Sequence, residues 1–339
     1  MSPRERLSAV LQHRVVDRPP VICPGGMMNA AVVEVMERTG CTLPAAHGSE
    51  ELMAGLAIEV YERTGFENIG LPFCMTVEAE MLGSRIDMGS LSCEPKIEKE
   101  AYPSVDNVPV GDVQDLFASG RAAVVLGAIG RVSKMYPSVP VTGVVTGPLS
   151  LAASIVDPVT FFKELRKNRE KAHQVMAHVS NLISTFAKQM LKAGAGAITV
   201  ADPSASGEIL GPALFEEYAV KYLNEIVDAT HAAHGHVIVH ICGDLKSVRR
   251  HLGSIRADAL STDSVMSLSR IKEEFPLITT MGNVSTRLLS TGSAHRIGST
   301  AEKLVRDGVD IIAPACGLDT HTPLKSIRAL TDRVRACAP

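Results

Sequence analysis

His240 and Cys242 stand two residues apart at the end of one apolar run, and Cys316 follows another. On an extended backbone, residues i and i+2 point to the same side, so His240 and Cys242 can share a partner. An imidazole and two thiolates are donors that zinc accepts, and zinc prefers four-coordinate tetrahedral geometry. Three protein donors leave one position vacant, the pattern of a catalytic site rather than a closed structural one. A substrate thiol entering that position loses its proton at neutral pH. The resulting thiolate is the nucleophile that a methyl transfer needs. The plainer alternative is chance spacing, since buried cysteine is an ordinary small hydrophobe. Structural zinc usually shows close pairs such as C-x2-C, and this chain contains none.

Placement separates the two readings, and placement depends on the elements that carry these residues. From about residue 140 onward, short β-type runs alternate with helical stretches. The runs cover 140–145, 197–201, 236–240, 259–261, 278–281 and 310–314. A long helical region is predicted over about 157–192, closed by Gly194, and another from about Pro212 to His234, closed by Gly235. Segments 192–198 and 306–312 resemble one another: each is a helix end, a Gly turn and a buried strand. That is a repeating βα unit, as a parallel sheet requires. Earlier strands at 20–22 and 68–71 bring the count to eight. The pattern predicts one (β/α)8 barrel of the TIM type over residues 1–339, with an open doubly wound sheet as the alternative. Residues 83–139, polar and Pro-bearing, read as an insertion between early strands. Ser2, Pro3 and Glu5 form a capping box that begins an N-terminal helical extension.

Barrel active sites gather at the C-terminal ends of strands. The residues there are the candidates for a pocket around His240, Cys242 and Cys316. Met27 follows the first strand and either floors an apolar cavity or packs. Cys74 follows the second and either borders the pocket or fills core. Asp202 precedes Pro203, so it caps a helix or faces the pocket. Asp263 is a candidate to support the metal or serve as a labile fourth ligand, and Asn283 to face the cavity. Cys23, Cys41, Cys93 and Cys337 read as packing or surface thiols. His231, His234 and His236 read as solvated histidines at the far end of the barrel.

Composition excludes several function classes. The formal charge is −3 with no concentrated basic stretch, which argues against a nucleic-acid partner. No run of about 18 apolar residues is present, so no membrane span is expected. The N-terminus lacks a secretory apolar region, and seven scattered cysteines make no disulfide framework. A cytoplasmic protein is expected. Apolar residues make up 45% of the chain but aromatics only 4%, so a large core must be built from aliphatic side chains.

Several segments together resemble a known group: Thr142–Ser150, Ala201–Ser206, His240-Ile241-Cys242-Gly243, Gly282-Asn283-Val284-Ser285, Pro314-Ala315-Cys316-Gly317 and Leu71–Gly83. Over essentially its whole length the chain resembles the uroporphyrinogen decarboxylase superfamily, and within it the methylcobamide:coenzyme M methyltransferase branch. The resemblance implies a (β/α)8 barrel with zinc at His240, Cys242 and Cys316. It also implies a separate corrinoid protein bringing methyl-cobalt(III), with a zinc-held thiolate taking the methyl and leaving cobalt(I). The chain departs from the decarboxylases, whose N-terminal motif clamps porphyrin carboxylates with arginines. Here 23–29 reads Cys-Pro-Gly-Gly-Met-Met-Asn, without an Arg. Decarboxylation is therefore the alternative rather than the expectation, as is a zinc-stabilised, non-catalytic corrinoid-partner binding protein. A corrinoid-carrying role would want Asp-x-His-x-x-Gly, and the segment beginning Asp319-Thr320-His321 lacks the Gly. The small substrate stays open among coenzyme M, another thiol, and a methylated donor used in the reverse direction.

Overall fold

The computed structural model of the chain describes residues 1–337. Its central element is a parallel sheet of β1 (Ile69–Leu71), β4 (Val141–Thr146), β5 (Ala197–Ala201), β6 (His236–Ile241), β7 (Ala259–Thr262), β8 (Thr279–Val284) and β9 (Ile311–Pro314), hydrogen-bonded in that order. The two remaining strands, β2 (Arg85–Asp87) and β3 (Lys96–Lys99), pair antiparallel as a separate hairpin with an irregularity between Arg85 and Ile86. β4, β5, β7, β8 and β9 are buried throughout. This is why they read as continuous apolar or Thr-rich runs: both faces of a parallel barrel sheet are covered.

An eighth stave closes the ring, and side chains stitch it on one side. Ile22 N–H donates to Ile312 O and Ile312 N–H to Pro20 O, each at 2.9 Å, and Glu67 N–H donates to Val21 O at 2.8 Å. Toward β1 the remaining bonds come from side chains. Glu67 Oε2 accepts the Val21 N–H at 3.0 Å, and Asn68 Oδ1 accepts the Cys23 N–H at 2.8 Å. Asn68 Nδ2 donates to Cys23 O at 2.9 Å and to Thr142 Oγ1 at 2.8 Å. Residues 20–22 therefore act as a stave through a single bridge, Val21 to Ile312, rather than as a regular strand.

Two apolar layers result. The larger packs the outer helices onto the sheet, and a smaller cluster fills the barrel, including Ile22, Met28, Ala197, Ile238, Met281 and Ile311. Leu7, Val10 and Leu11 of the helix Pro3–Leu11 join this inner cluster. Arg4 ties that helix to the start of β4 by donating to Val139 O at 3.0 Å. The N-terminal end of the barrel is thus sealed by apolar side chains, each contributing about 1.5–3 kcal/mol on full burial.

The predicted helix over 157–192 is two helices, Pro158–Lys167 and Arg169–Ala193. Asn168 (φ −130°, ψ 53°) breaks the run, while Asp157 caps the first piece at Thr160 N–H. Gly194 (φ 117°) closes the second, a conformation that favours glycine. The helix expected near Pro212 starts there, after Gly211 (φ 65°, ψ 173°) breaks off a short preceding turn from Gly207, where Ser206 caps Ile209 N–H. Among the described residues no helix is long and apolar enough to cross a membrane.

Candidate metal centre

Strand parity delivers the first candidate donor. Ile238 of β6 points into the barrel with the inner cluster, so His240, two residues on, points the same way. The imidazole is fully buried. Ser261 lies opposite it in the β6–β7 register, and its Oγ is 2.9 Å from His240 Nδ1. The other ring nitrogen, Nε2, is 3.0 Å from Cys242 Sγ, and Cys242 Sγ is 3.0 Å from Cys316 Sγ. The three donor atoms lie within 4.8 Å of one another.

Cys316 arrives differently. It sits in the bend just after β9, held by the bond from Ala315 N–H to Val284 O at 2.8 Å. The backbone of Gly317 passes close to Met27, where a Cβ would come within 2.7 Å of Met27 O. The two thiols are acid–base coupled. A hydrogen bond from Cys242 holds the Cys316 thiol well below the ordinary thiol range against the opposing effect of burial, and His240 adds to the lowering. Losing the second proton, from Cys242, is disfavoured first by the Cys316 thiolate and then by burial.

Three carboxyl groups surround this trio. Asp202 follows β5, and its own N–H donates to His240 O at 2.9 Å. Its fully buried carboxylate accepts from Leu149 N–H (3.1 Å), Ser150 N–H (2.9 Å) and Ser150 Oγ (2.6 Å). It therefore caps the helix Pro148–Ile155, the helix after β4. Burial raises its carboxyl to about 6 despite those bonds. Asp263, after β7, accepts Val265 N–H and Ser264 Oγ, each at 3.2 Å. The charges of Asp263 and Asp202 both push the Cys242 thiol up, although less than Cys316 does.

The third, Glu94, lies between β2 and β3 and was not among the sequence candidates. Asn29 Nδ2 donates to Glu94 Oε1 at 2.9 Å and to Gly26 O at 2.8 Å, binding the hairpin to the segment after the first stave. Burial raises the Glu94 carboxyl to about 7; the Asn29 bond opposes this and the Cys316 charge adds to it. No strand end or motif marks Glu94 in the sequence. Its neighbour across the fold, Asn29, closes a segment that did stand out.

The remaining candidates lie as follows. Asn283 is buried, and its Nδ2 donates to Asp263 O and Met266 O, both at 2.9 Å, joining the ends of β7 and β8. Met27 is half-buried against the inner cluster. Cys74 is buried beside Arg121, whose Nη1 is 3.4 Å from its Sγ, and it is not one of the three gathered donors. His231 and His236 approach Asp258 at the opposite end of β6, at 2.9 and 3.7 Å.

A sequence profile described as uroporphyrinogen decarboxylase (URO-D) matches residues 2–337. The chain belongs to that family. Within the URO-D family it is 30% identical to a methylcobamide:CoM methyltransferase of Methanosarcina barkeri over 335 residues, covering 96% of each chain. It is 28% identical to a methylated-thiol–coenzyme M methyltransferase of Methanosarcina mazei, covering 99% of this chain and 89% of the relative. Among solved structures, a methyltransferase from Methanosarcina mazei superimposes with a TM-score of 0.92 at 30% identity, covering 99% of both. This URO-D family member is thus a TIM-barrel enzyme of the methyltransferase type.

Proposed function

We propose that this enzyme moves a methyl group between a methylcobamide, carried by a separate corrinoid protein, and a small thiol, with zinc held by His240, Cys242 and Cys316. One observation carries the reading: an imidazole nitrogen and two sulfurs from β6 and the β9 bend converge at the C-terminal end of the barrel. The donor set fits the ion, because two cysteines and one histidine are the protein ligands of an open, catalytic zinc site. Bound there, zinc acts as a Lewis acid that lowers the pKa of a thiol in the fourth position.

The chain's own residues do the rest. Ser261 holds the His240 ring so that Nε2 faces the two sulfurs. Asp202, locked by Leu149 and Ser150, fixes the backbone of β5 beside His240. Met27 and the inner cluster below it keep the floor of the site apolar, which excludes water from a reactive thiolate. On this reading Asp263, at the end of β7, would support the fourth position before substrate arrives. Segment 23–29, where a decarboxylase of this family would clamp porphyrin carboxylates, carries no Arg, so the decarboxylase reading lacks its clamp. Seven free thiols, two of them in the centre, suit a reducing cytoplasm.

The test follows cobalt absorbance. Zinc-loaded enzyme with methylcobalamin and a panel of small thiols should convert cobalt(III) to cobalt(I), and Cys242→Ser and Cys316→Ser should each lose both zinc and transfer. Undiminished transfer in either variant, or none by the wild type with any thiol, contradicts the proposal.

A further inference from the structure

Of the seven cysteines, two are in contact. Cys242 Sγ and Cys316 Sγ stand 3.0 Å apart, although 74 residues separate them in the chain. Among the described residues no other two cysteine sulfurs meet. Cys23 and Cys74 are buried in the core, 5% and 3% exposed, and Cys23 Sγ donates to Met28 O at 3.0 Å. Cys41, Cys93 and Cys337 are half-buried, but each stands alone. Cys242 and Cys316 are half-buried at the C-terminal end of the barrel, so a small reagent can reach them.

The distance matters because a pair of sulfurs has two ways of being held. In a disulfide they lie about 2 Å apart. Two thiolates on one tetrahedral zinc, each about 2.3 Å from the ion, keep about 3.8 Å between them. The same two sulfurs cannot satisfy both. Closing the gap between Cys242 and Cys316 takes about 1 Å of movement, and the local backbone allows it. Each cysteine lies just beyond the paired part of its strand: β6 ends at Ile241, and the bond beyond β9 is Ala315 N–H to Val284 O at 2.8 Å. Each is followed by a glycine, and Gly243 has φ 78°, a conformation that favours that residue. The sulfurs can therefore approach by side-chain rotation without breaking the sheet.

We propose that Cys242 and Cys316 are a thiol–disulfide switch, closed by the disulfide form of a small thiol, and that closure expels zinc. The proposal rests on the zinc–thiol reading above and adds regulation to the same centre. One zinc-held thiolate attacks a sulfur of the small disulfide RSSR, giving a mixed disulfide and releasing RS⁻. The second thiolate attacks the protein sulfur of that mixed disulfide, forming the Cys242–Cys316 bond and releasing the other RS⁻. Two cysteine thiolates lose two electrons, RSSR gains them, and the zinc ion, left with His240 alone, departs. A site within reach of a small thiol is also within reach of that thiol's disulfide. The enzyme therefore stops when its thiol pool is oxidised, and a dithiol with zinc restores it.

The probe is 2-hydroxyethyl disulfide, added in excess to the zinc-loaded full chain. Zinc release is followed with a chromophoric chelator, and the cysteines are located by peptide mass mapping without reduction. The expected result is one zinc lost per chain in step with one Cys242–Cys316 cross-link, while Cys23 and Cys74 stay free. Dithiothreitol followed by zinc should return full occupancy and methyl transfer. Cys316→Ser should stop at a mixed disulfide on Cys242, and Cys242→Ser at one on Cys316. Zinc retained under excess disulfide with both cysteines free, a stable mixed disulfide in the wild type, or a cross-link to any other cysteine overturns the proposal. If zinc binds and methyl transfers but no cross-link forms, only the switch falls. If the chain holds no zinc and still forms the cross-link, the metal reading falls and the redox pair stands.

Discussion

Ser261 Oγ lies 2.9 Å from His240 Nδ1, directly across the β6–β7 ladder, and this contact decides which ring nitrogen faces the sulfurs. The imidazole is fully buried, so its orientation is set by packing and by this bond rather than by solvent. Partners of this kind typically account for about 10- to 100-fold in metal affinity. Ser261→Ala should therefore fold normally and bind zinc about 10- to 100-fold more weakly. Competition with a chromophoric chelator reads the difference, and unchanged affinity would show that packing alone orients the ring.

Gly147 and Asp202 touch more closely than any side chain would permit. A Cβ on Gly147 would lie 2.2 Å from Asp202 Cβ and 2.8 Å from its Cα. Gly147→Ala must displace β5 where it abuts His240, because the Asp202 carboxylate is pinned by Leu149 and Ser150. Overpacking of this sort costs about 1–3 kcal/mol. A lowered urea midpoint together with reduced zinc occupancy is expected; a stable variant with full occupancy would contradict the coupling of this loop to the centre.

Glu67 gives the protein an acid limit. It is buried, receives Arg6 at 2.8 Å and Arg18 at 2.7 Å, and accepts the Val21 N–H of the closing stave. Burial pushes its carboxyl up, but Arg18, the Val21 N–H and Arg6 together outweigh burial and hold it below the ordinary 4.5. A lowered folded value means that the stabilisation is complete above about pH 4.5 and is lost as pH falls through the lower, folded value. Glu67→Gln should destabilise by about 3 kcal/mol, since Arg18 loses its carboxylate partner while Arg6 keeps Asp17. Unfolding midpoints against pH should then show a shallower acid limb than the wild type. Identical limbs would place the acid sensitivity elsewhere.

Much of this arrangement is legible in the sequence for a physical reason. β6 runs Val237-Ile238-Val239 directly into His240, so its period of two sends His240 to the same side as Ile238 without help from the rest of the fold. The first stave is harder to see, because Glu67 and Asn68 side chains replace ladder bonds and leave almost no alternation to detect. Asp202 shows the limit of local reading: next to Pro203 it reads as a cap, yet the helix it caps starts about fifty residues earlier in the chain, at Pro148. Glu94 is the clearest case. Its position depends on the direction of a bulged hairpin and on a bond to Asn29, and neither leaves a mark in composition or periodicity.

X-ray absorption at the zinc edge on the purified enzyme, before and after adding a thiol, addresses the centre most directly. The account predicts one zinc per chain with two sulfurs and one imidazole nitrogen in the resting state, and three sulfurs once the thiol is bound. Zinc that is absent, or that shows no sulfur among its ligands, would contradict the claim that His240, Cys242 and Cys316 form the reaction centre.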